Sequence, residues 1–229
     1  MQDPFDVIIL TCKRDERLAR LASAGLRKFW PNANPRVFMD TDRSTESDLP
    51  DDVRDVVRRV PYLRRVFDFP LLANTETICI MDSDCLTYSE PAEFTERAFQ
   101  GNPGGNDRME GLALWREMGV KFDCHNVRFV GGMFTAGREM WIEGRDTAIE
   151  WVRRCVAKGH DRVRYPGVTC EQSLVSGLWR QRYPHNPLPP ERYPYGRFID
   201  GCAIWHTSSF LEPWALERID QYEAMAHDW

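Results

Sequence analysis

The most constraining feature of this sequence is a short apolar run that ends in two aspartates. Residues 77–81 are Thr-Ile-Cys-Ile-Met, and Asp82-Ser-Asp84 follows directly. A short apolar run rich in β-branched residues is typical of a strand buried on both faces, as in sheets covered by helices on both sides. The two aspartates are therefore expected at the carboxyl edge of a sheet, where open α/β sheets bind ligands.

Strand and helix patterns alternate through the first 85 residues. Apolar and β-branched runs predict strands over 5–10, 36–39, 56–60 and 77–81. Helical spacing of apolar residues predicts one helix that is capped by Asp15 and stopped by Pro31, and a second over 61–73. This alternation predicts an α/β fold with a parallel sheet.

The second half of the chain has a different pattern. Residues 101–106 and the proline-rich stretch 184–194 predict irregular loops. Strand pieces are expected at 127–130, 133–135, 197–199 and 203–205, with Gly131-Gly132 interrupting the first two, and helices at 142–156, 170–180 and 214–225. Because no linker-like composition separates the halves, we expect one domain over 1–229, with a nucleotide-sugar half to about residue 100 and an acceptor half over 101–229.

Composition indicates the cellular compartment of the protein and excludes some classes of partner. The seven cysteines are scattered and contain no C-x-x-C, which argues against a disulfide framework or structural zinc and predicts a cytoplasmic location. No apolar run approaches the roughly 20 residues of a transmembrane segment. A net charge of −5 argues against generic coating of DNA, although arginines cluster within 54–65 and basic residues within 153–164. Such clusters suit either phosphate groups or solvated helix faces.

The spacing of Asp82 and Asp84 suggests a metal site. On an extended chain the two side chains project to the same side, with Cα atoms roughly 6.5–7 Å apart. Two such carboxylates can hold a divalent cation that keeps open positions for phosphate oxygens and neutralises a departing diphosphate. The alternative is a turn that ends the strand, in which both aspartates accept hydrogen bonds from backbone amides.

Further motifs stand in a recognisable order along the chain. The arginine-bearing stretch 60–73 precedes the acidic strand 78–84, and Val130–Gly137, Cys170–Val175 and Gly201–His206 follow. In this order the motifs resemble GT-A-fold glycosyltransferases, most closely the retaining members, over roughly residues 5–206. The resemblance implies a GT-A-like (Rossmann-type) α/β fold, with a mixed, mostly parallel sheet flanked by helices in a single domain.

The resemblance also implies roles for individual residues. Asp84 would ligate Mn²⁺ or Mg²⁺, Asp82 would contact the metal or the donor ribose, and His206 would be the third protein ligand. An imidazole ligand favours manganese. The remaining donor contacts would come from Thr11, Asp40 or Asp42, Arg64 or Arg65, Ser83, Gly131 and Gly132. Residues at the reaction centre would be Glu171, Gln172 and Arg65.

Several of these residues also have ordinary structural interpretations. His206 on an apolar strand is compatible with a hydrogen-bonded core histidine. Glu171 at a helix start either favours the helix dipole or acts as general base on an acceptor hydroxyl. The Gly131-Gly132 pair either forms a bulge or allows a ligand to approach the backbone closely.

The sequence thus predicts a metal-dependent hexosyl- or pentosyltransferase that moves a sugar from a nucleotide diphosphate donor, such as a UDP-sugar, to a hydroxyl acceptor. The acceptor could be a glycan, a protein or a modified nucleobase. One alternative is a DNA-modifying glycosyltransferase that acts on a hydroxylated base, with contacts from 58–65 and from aromatic and basic residues of 179–205. Two others are a sugar-nucleotidyltransferase, disfavoured because Thr11–Asp15 contains no glycine, and a non-catalytic sugar- or nucleic-acid-binding module.

Overall fold

The computed structural model describes residues 5–41, 48–94, 99–103, 109–120, 129–159, 174–175, 177–178, 185–208 and 212–226. The strands are β1 (Phe5–Thr11), β2 (Ala33–Met39), β3 (Thr77–Asp82), β4 (Cys85–Thr87), β5 (Phe99–Pro103), β6 (Phe129–Gly137), β7 (His185–Pro187) and β8 (Ile204–His206). The helices are α1 (Glu16–Phe29), α2 (Asp51–Arg59), α3 (Arg64–Phe67), α4 (Phe69–Leu72), α5 (Met109–Glu117), α6 (Arg138–Ala157) and α7 (Pro213–Ala226).

A six-stranded mixed sheet in the order β2-β1-β3-β6-β5-β7 forms the centre of the fold. Strand β1 pairs in parallel with β2 and β3, and β7 pairs in parallel with β5. Strand β6 runs antiparallel to both β3 and β5. A separate antiparallel ladder joins β4 to β8. The predicted mixed, mostly parallel sheet with flanking helices in a single domain is confirmed.

Alternate residues of β1 and β3 pack into different hydrophobic clusters, which explains their continuous apolar sequences. On one side, Val7, Ile9 and Met81 pack with buried residues of α1, including Ala22 and Leu26. The intervening residues belong to a second cluster with the helices of the other face; its members include Ile8, Ile78, Ile80, Val53, Phe67 and Trp141. Helices on both faces therefore bury the central strands.

Most of the predicted elements are confirmed with shifted ends. The strands expected at 5–10, 36–39, 77–81 and 203–205 correspond to β1, β2, β3 and β8, and the helices expected at 142–156 and 214–225 correspond to α6 and α7. The helix between Asp15 and Pro31 is α1. The helix expected at 170–180 lies largely outside the described residues.

Two predictions in the first half were wrong. Residues 56–60 do not form a strand, because the helix α2 buries Val53, Val56 and Val57 on one face. The single helix expected at 61–73 is divided into a 3₁₀ turn at 61–63 and the short helices α3 and α4. Proline suits the first turn of a helix and interrupts its interior, which explains breaks ahead of Pro61 and Pro70.

Four predictions in the second half were also wrong. Residues 99–103 form β5, which tolerates glycine because its pairing with β6 is irregular between Gly101 and Asn102. Gly131-Gly132 does not end the strand, because β6 is continuous over Phe129–Gly137; the two glycines fall instead where its pairing with β5 passes from Phe134 to Val130. Residues 185–187, expected to be irregular, form β7. Residues 197–199 are not a strand; nearby, Tyr195 makes only an isolated bridge to His206.

No helix in the described ranges is both long enough and apolar enough to cross a membrane.

The crossing of α1 and α7 depends on a glycine, which yields a stability prediction. A Cβ at Gly25 would lie 1.5 Å from Tyr222 Oη, the hydroxyl that donates to the Thr87 carbonyl oxygen at 2.8 Å. We expect Gly25→Ala to lower the free energy of unfolding by about 1–3 kcal/mol, because a buried side chain must move. Equilibrium denaturant unfolding measures the change.

Gly144 in α6 offers a matched control, because a Cβ there would make an ordinary contact of 3.5 Å with Leu178 Cδ2. Gly144→Ala should raise the free energy of unfolding by up to about 1 kcal/mol, since alanine favours a helix over glycine. Similar destabilisation by both substitutions would contradict a specific role for the Gly25–Tyr222 contact.

Candidate active site

The carboxyl ends of β1, β2 and β3 meet at one edge of the sheet. The strand register pairs Leu10 with Asp82 and Thr11 with Met39. The Asp40 amide donates a hydrogen bond to the Thr11 carbonyl oxygen at 2.8 Å, which extends the pairing just past β2. Thr11, Asp40 and Asp82, distant in sequence, therefore lie at the same edge, as expected for parallel neighbours.

A cavity of about 240 Å³ opens at this edge. Its wall consists of Leu10, Thr11, Cys12, Arg14, Asp15, Asp40, Pro61, Tyr62, Arg65, Asp82, Ser83 and Asp84. Six of the residues predicted from sequence are thus in the wall: Thr11, Asp40, Arg65, Asp82, Ser83 and Asp84. Three others, Asp42, Glu171 and Gln172, lie outside the described residues.

The β4–β8 ladder brings His206 to the acidic pair. Its register places Cys85 opposite His206, and the Thr207 amide donates to the Asp84 carbonyl oxygen at 2.9 Å. His206 Nε2 lies 3.2 Å from Asp84 Oδ1 and 3.7 Å from Asp82 Oδ2. The His206 side chain is only 6% exposed and that of Asp84 13%. The structure therefore places His206 beside both of the predicted carboxylate ligands.

Gly132 makes room for the His206 ring. A Cβ at this position would lie 2.0 Å from His206 Cε1 and 2.2 Å from Nδ1, well inside contact distance. Gly132 is not among the described residues of the cavity wall. The side-chain-free surface of β6 at Gly132 therefore faces an imidazole of the protein itself, which explains the glycine without a bound ligand.

The consecutive arginines Arg64 and Arg65 have different partners. Arg65, with 1% of its side chain exposed, forms an ion pair with Asp82 at the cavity. Arg64 Nε instead lies 2.8 Å from Asp68 Oδ2, and its Nη1 donates to the Met39 carbonyl oxygen at 2.9 Å. Arg64 is not in the cavity wall and anchors α3 to the end of β2, so of the two arginines only Arg65 can contact a ligand there.

Groups of opposite charge lie close together around the candidate ligand atoms. Burial raises the pKa of Asp82; the Arg65 charge opposes this shift and the Asp84 charge adds to it. Burial acts to lower the pKa of His206, but the neighbouring charges of Asp84 and Asp82 outweigh it, so this pKa is raised. Both shifts have the same cause: two carboxylates lie close together where water solvates them poorly. A bound cation would neutralise their charge.

The residues present fit a divalent metal ion of the manganese or magnesium class. Donor atoms on adjacent positions of an octahedral ion lie roughly 3 Å apart when each is about 2.1 Å from the metal. The 3.2 and 3.7 Å separations from His206 Nε2 to the two carboxylates are close to this value. The imidazole nitrogen suits manganese and the carboxylate oxygens suit either ion.

Sequence reasoning missed Tyr62 and the cluster formed by Cys12, Arg14 and Asp15. Asp15 precedes α1 but its side chain makes no capping hydrogen bond, contrary to prediction. It instead pairs in bidentate fashion with Arg14, at 2.8 and 2.9 Å, and accepts from the Cys12 thiol at 3.4 Å. Only their positions in the sequence could have indicated these residues: Cys12, Arg14 and Asp15 follow the end of β1, and Tyr62 lies shortly before Arg65.

Three aromatic and basic residues within 185–205, namely Arg192, Tyr193 and Trp205, make contacts that hold the fold together. Tyr193 is buried, and its hydroxyl donates to Glu93, which also pairs with Arg192 at 2.6 Å. Trp205 is buried and donates to the Gly196 carbonyl oxygen at 3.0 Å. Residues 179–184 lie outside the described part of the chain.

Apart from the buried Arg64 and Arg65, several basic residues of the clusters within 54–65 and 153–164 pair with acids on the same helix or a nearby one. Arg54 lies 3.0 Å from Asp51, and Arg153 lies 2.7 Å from Asp52. Further pairs join Arg58 to Asp55, Arg154 to Glu150 and Lys158 to Glu117. These contacts favour solvated helix faces over a surface that binds polyanions.

Comparisons with known proteins bear on the fold. No protein-family model matches the sequence, and no curated protein matches it either. Among solved structures, the galactosyltransferase LgtC, in complex with donor and acceptor sugar analogues, superposes with a TM-score of 0.64 at 12% identity, over 98% of this chain and 97% of that one.

Two further glycosyltransferases are similar over less of their own length. GlyE of Streptococcus pneumoniae TIGR4 gives a TM-score of 0.57 at 14% identity, over 99% of this chain and 63% of that one. The bifunctional glycosyltransferase WbbM gives a TM-score of 0.55 at 11% identity, over 100% of this chain and 50% of that one. The chain therefore has the GT-A-type glycosyltransferase fold, which confirms the fold expected from the resemblance. Identities this low carry no residue role across.

The contact between Gly132 and His206 predicts a specific coupling. We expect Gly132→Ala to destabilise the protein by about 1–3 kcal/mol, because the new methyl group overlaps a buried ring. In a His206→Ala background the same substitution should cost much less, since the ring is gone. Unfolding free energies of the wild type, both single variants and the double variant measure the coupling. Additive effects would show that Gly132 does not make room for His206.

Proposed function

We propose that this protein is a metal-dependent glycosyltransferase that moves a sugar from a nucleotide diphosphate donor to a hydroxyl acceptor. The observation that carries the proposal is the meeting of Asp82, Asp84 and His206 at the rim of a cavity in a GT-A-type fold. A fold alone hosts many functions, so the argument depends on this site.

The cavity wall supports a nucleotide-binding role for the first half of the chain, since every described residue of the wall precedes β4. Thr11 and Asp40 would contact the nucleoside. Tyr62 offers an aromatic surface for the base: the residue is 48% exposed, and the guanidinium of the buried Arg65 lies 5.2 Å from the ring centroid. A planar Arg14–Asp15 pair belongs to the same wall. Flat surfaces of this kind stack well on nucleobases.

The other end of the cavity would receive the diphosphate. Asp84, Asp82 and His206 would hold Mn²⁺ or Mg²⁺, which supplies charge neutralisation for the leaving diphosphate when bound. Arg65 adds a fixed positive charge beside Asp82, and a guanidinium can bind phosphate oxygens in bidentate fashion. Because Arg65 is nearly buried and paired with Asp82, its position is set before the donor arrives.

The acceptor would bind on the side contributed by residues 101–229. We add two residues on the basis of the sequence motif alone. Glu171 would act as general base on the acceptor hydroxyl, and Gln172 would lie beside the reaction centre. The motif order favours retention of configuration at the sugar carbon, which the stereochemistry of the product tests. All five cysteines in the described ranges are free thiols, which supports the proposed cytoplasmic location.

The metal role makes a direct prediction for Asp84. A panel of nucleoside diphosphates with Mn²⁺ should raise the melting temperature for at least one nucleotide, by about 5 °C at saturating concentration. Asp84→Asn should lose this Mn²⁺-dependent shift and the slow hydrolysis of the matching nucleotide sugar, because a ligand charge is removed. Differential scanning fluorimetry and product release measure the two effects.

Asp200→Asn makes the same chemical change at an exposed position outside the cavity wall and should keep both effects. Full retention of the Mn²⁺-dependent shift in Asp84→Asn would overturn the metal role. A shift without any turnover of nucleotide sugars would favour the non-catalytic binding module.

The proposed base contact predicts that Tyr62→Ala weakens nucleoside diphosphate binding by about tenfold or more, since base–aromatic stacking contributes roughly 1–3 kcal/mol. Tyr62→Phe should bind like the wild type, because it keeps the ring. Pyrophosphate with Mn²⁺ should bind equally well to all three proteins, because it has no base. Isothermal titration calorimetry measures the affinities. Equal loss for pyrophosphate would assign Tyr62 to the diphosphate or to the fold.

A further inference from the structure

A buried thiol lies beside the candidate metal ligands. Cys85 directly follows Asp84, and the β4–β8 register places it opposite His206. One ligand atom from each of Asp84, Cys85 and His206 lies within 4.8 Å of the other two. The Cys85 side chain is fully buried, so the chain holds its sulfur close to the cavity rim without exposing it.

Cys85 and His206 also share a neighbour. The Cys85 thiol donates to the Gly132 carbonyl oxygen at 3.4 Å. The Nδ1 edge of the His206 ring packs against the same glycine, and buried Nδ1 has no hydrogen-bond partner among the described residues. The imidazole therefore has a nitrogen whose hydrogen-bonding capacity is unused on the side of Gly132, next to which the thiol lies.

The chemistry of these three groups differs from that of the proposed manganese site. Manganese and magnesium prefer oxygen ligands, whereas zinc-class cations prefer thiolate and imidazole. The Cys85 thiol donates to the Gly132 carbonyl oxygen. A hard cation, which prefers oxygen ligands, leaves that hydrogen bond in place. A thiophilic cation displaces the thiol proton by forming a strong bond to sulfur.

We propose that Asp84, Cys85 and His206 form a second ligand set, which binds thiophilic divalent cations of the zinc and cadmium class. Binding breaks the Cys85 S–H bond, releases the proton to solvent and forms a sulfur–metal bond, with no change of oxidation state. Asp84 and His206 belong to both sets, so a thiophilic cation excludes the hard cation that the proposed donor site requires. The inference depends on this geometry and not on sugar transfer.

Cobalt(II) is a suitable probe, because it substitutes for zinc and gives a near-ultraviolet charge-transfer band when a thiolate binds it. We expect this band when the reduced 229-residue protein is titrated with Co²⁺ under anaerobic conditions. Cys85→Ser should abolish the band and weaken Cd²⁺ binding by at least about tenfold, since loss of even an outer-shell partner costs that much at metal sites. Serine can still donate to the Gly132 carbonyl oxygen, which favours folding.

Cys12→Ser is the matched control. Cys12 is the more exposed thiol, lies in the cavity wall and should not contribute to the band. A band that persists in Cys85→Ser, or no band in the wild type, would overturn the proposal. If Cys85→Ser does not fold, the wild type still tests the site: excess Mn²⁺ should remove the cobalt band, and a band insensitive to Mn²⁺ would contradict shared ligands.

Asp82→Asn separates this inference from the proposed function. Asp82 is outside the thiol-containing set, so the variant should keep the cobalt band while losing Mn²⁺-dependent binding of nucleoside diphosphates. A protein that gives the cobalt band but binds no nucleotide would support the second ligand set and contradict the donor site. Loss of the band in Asp82→Asn would show that the thiolate set does not bind independently of Asp82.

Discussion

The pairing of β4 with β8 is the interaction on which the candidate site depends. Asp82 and Asp84 belong to one strand end, but their imidazole neighbour comes from a segment far along the chain. The ladder fixes His206 opposite Cys85, and the Thr207 amide closes the contact on the Asp84 carbonyl oxygen. Gly132 on β6 leaves the space that the ring occupies. Three strands therefore determine one ligand geometry.

Burial of charge explains how the short helix α3 is held at the cavity. Arg64 and Arg65 are both nearly inaccessible, and an unpaired buried charge is unfavourable. Arg64 meets this requirement with Asp68 and the Met39 carbonyl oxygen, and Arg65 pairs with Asp82. The two side chains thus connect α3 to the ends of β2 and β3. The charge at the cavity is positioned by the same contacts that stabilise the helix.

The site combines hard and soft ligand atoms within a small volume. Two carboxylates with an imidazole suit manganese, while one carboxylate, the same imidazole and a thiol suit zinc-class ions. In the proposed scheme the cation decides which set is used, because only a thiophilic ion forms a strong bond to the sulfur of Cys85, one residue beyond the acidic pair.

By itself, the sequence determined the central strands and the edge where a site belongs, because apolar runs such as 77–81 fix which segments are buried and where they end. It did not determine whether residues 56–60 form a strand or a helix, since five residues are too few to show a clear periodicity. They belong largely to α2, which buries its valines against the core. Nor did it distinguish Arg64 from Arg65, or find Tyr62 and Cys85. Tertiary packing made these choices, because the direction of a side chain depends on strand register and on contacts between segments distant in sequence, which no local pattern encodes.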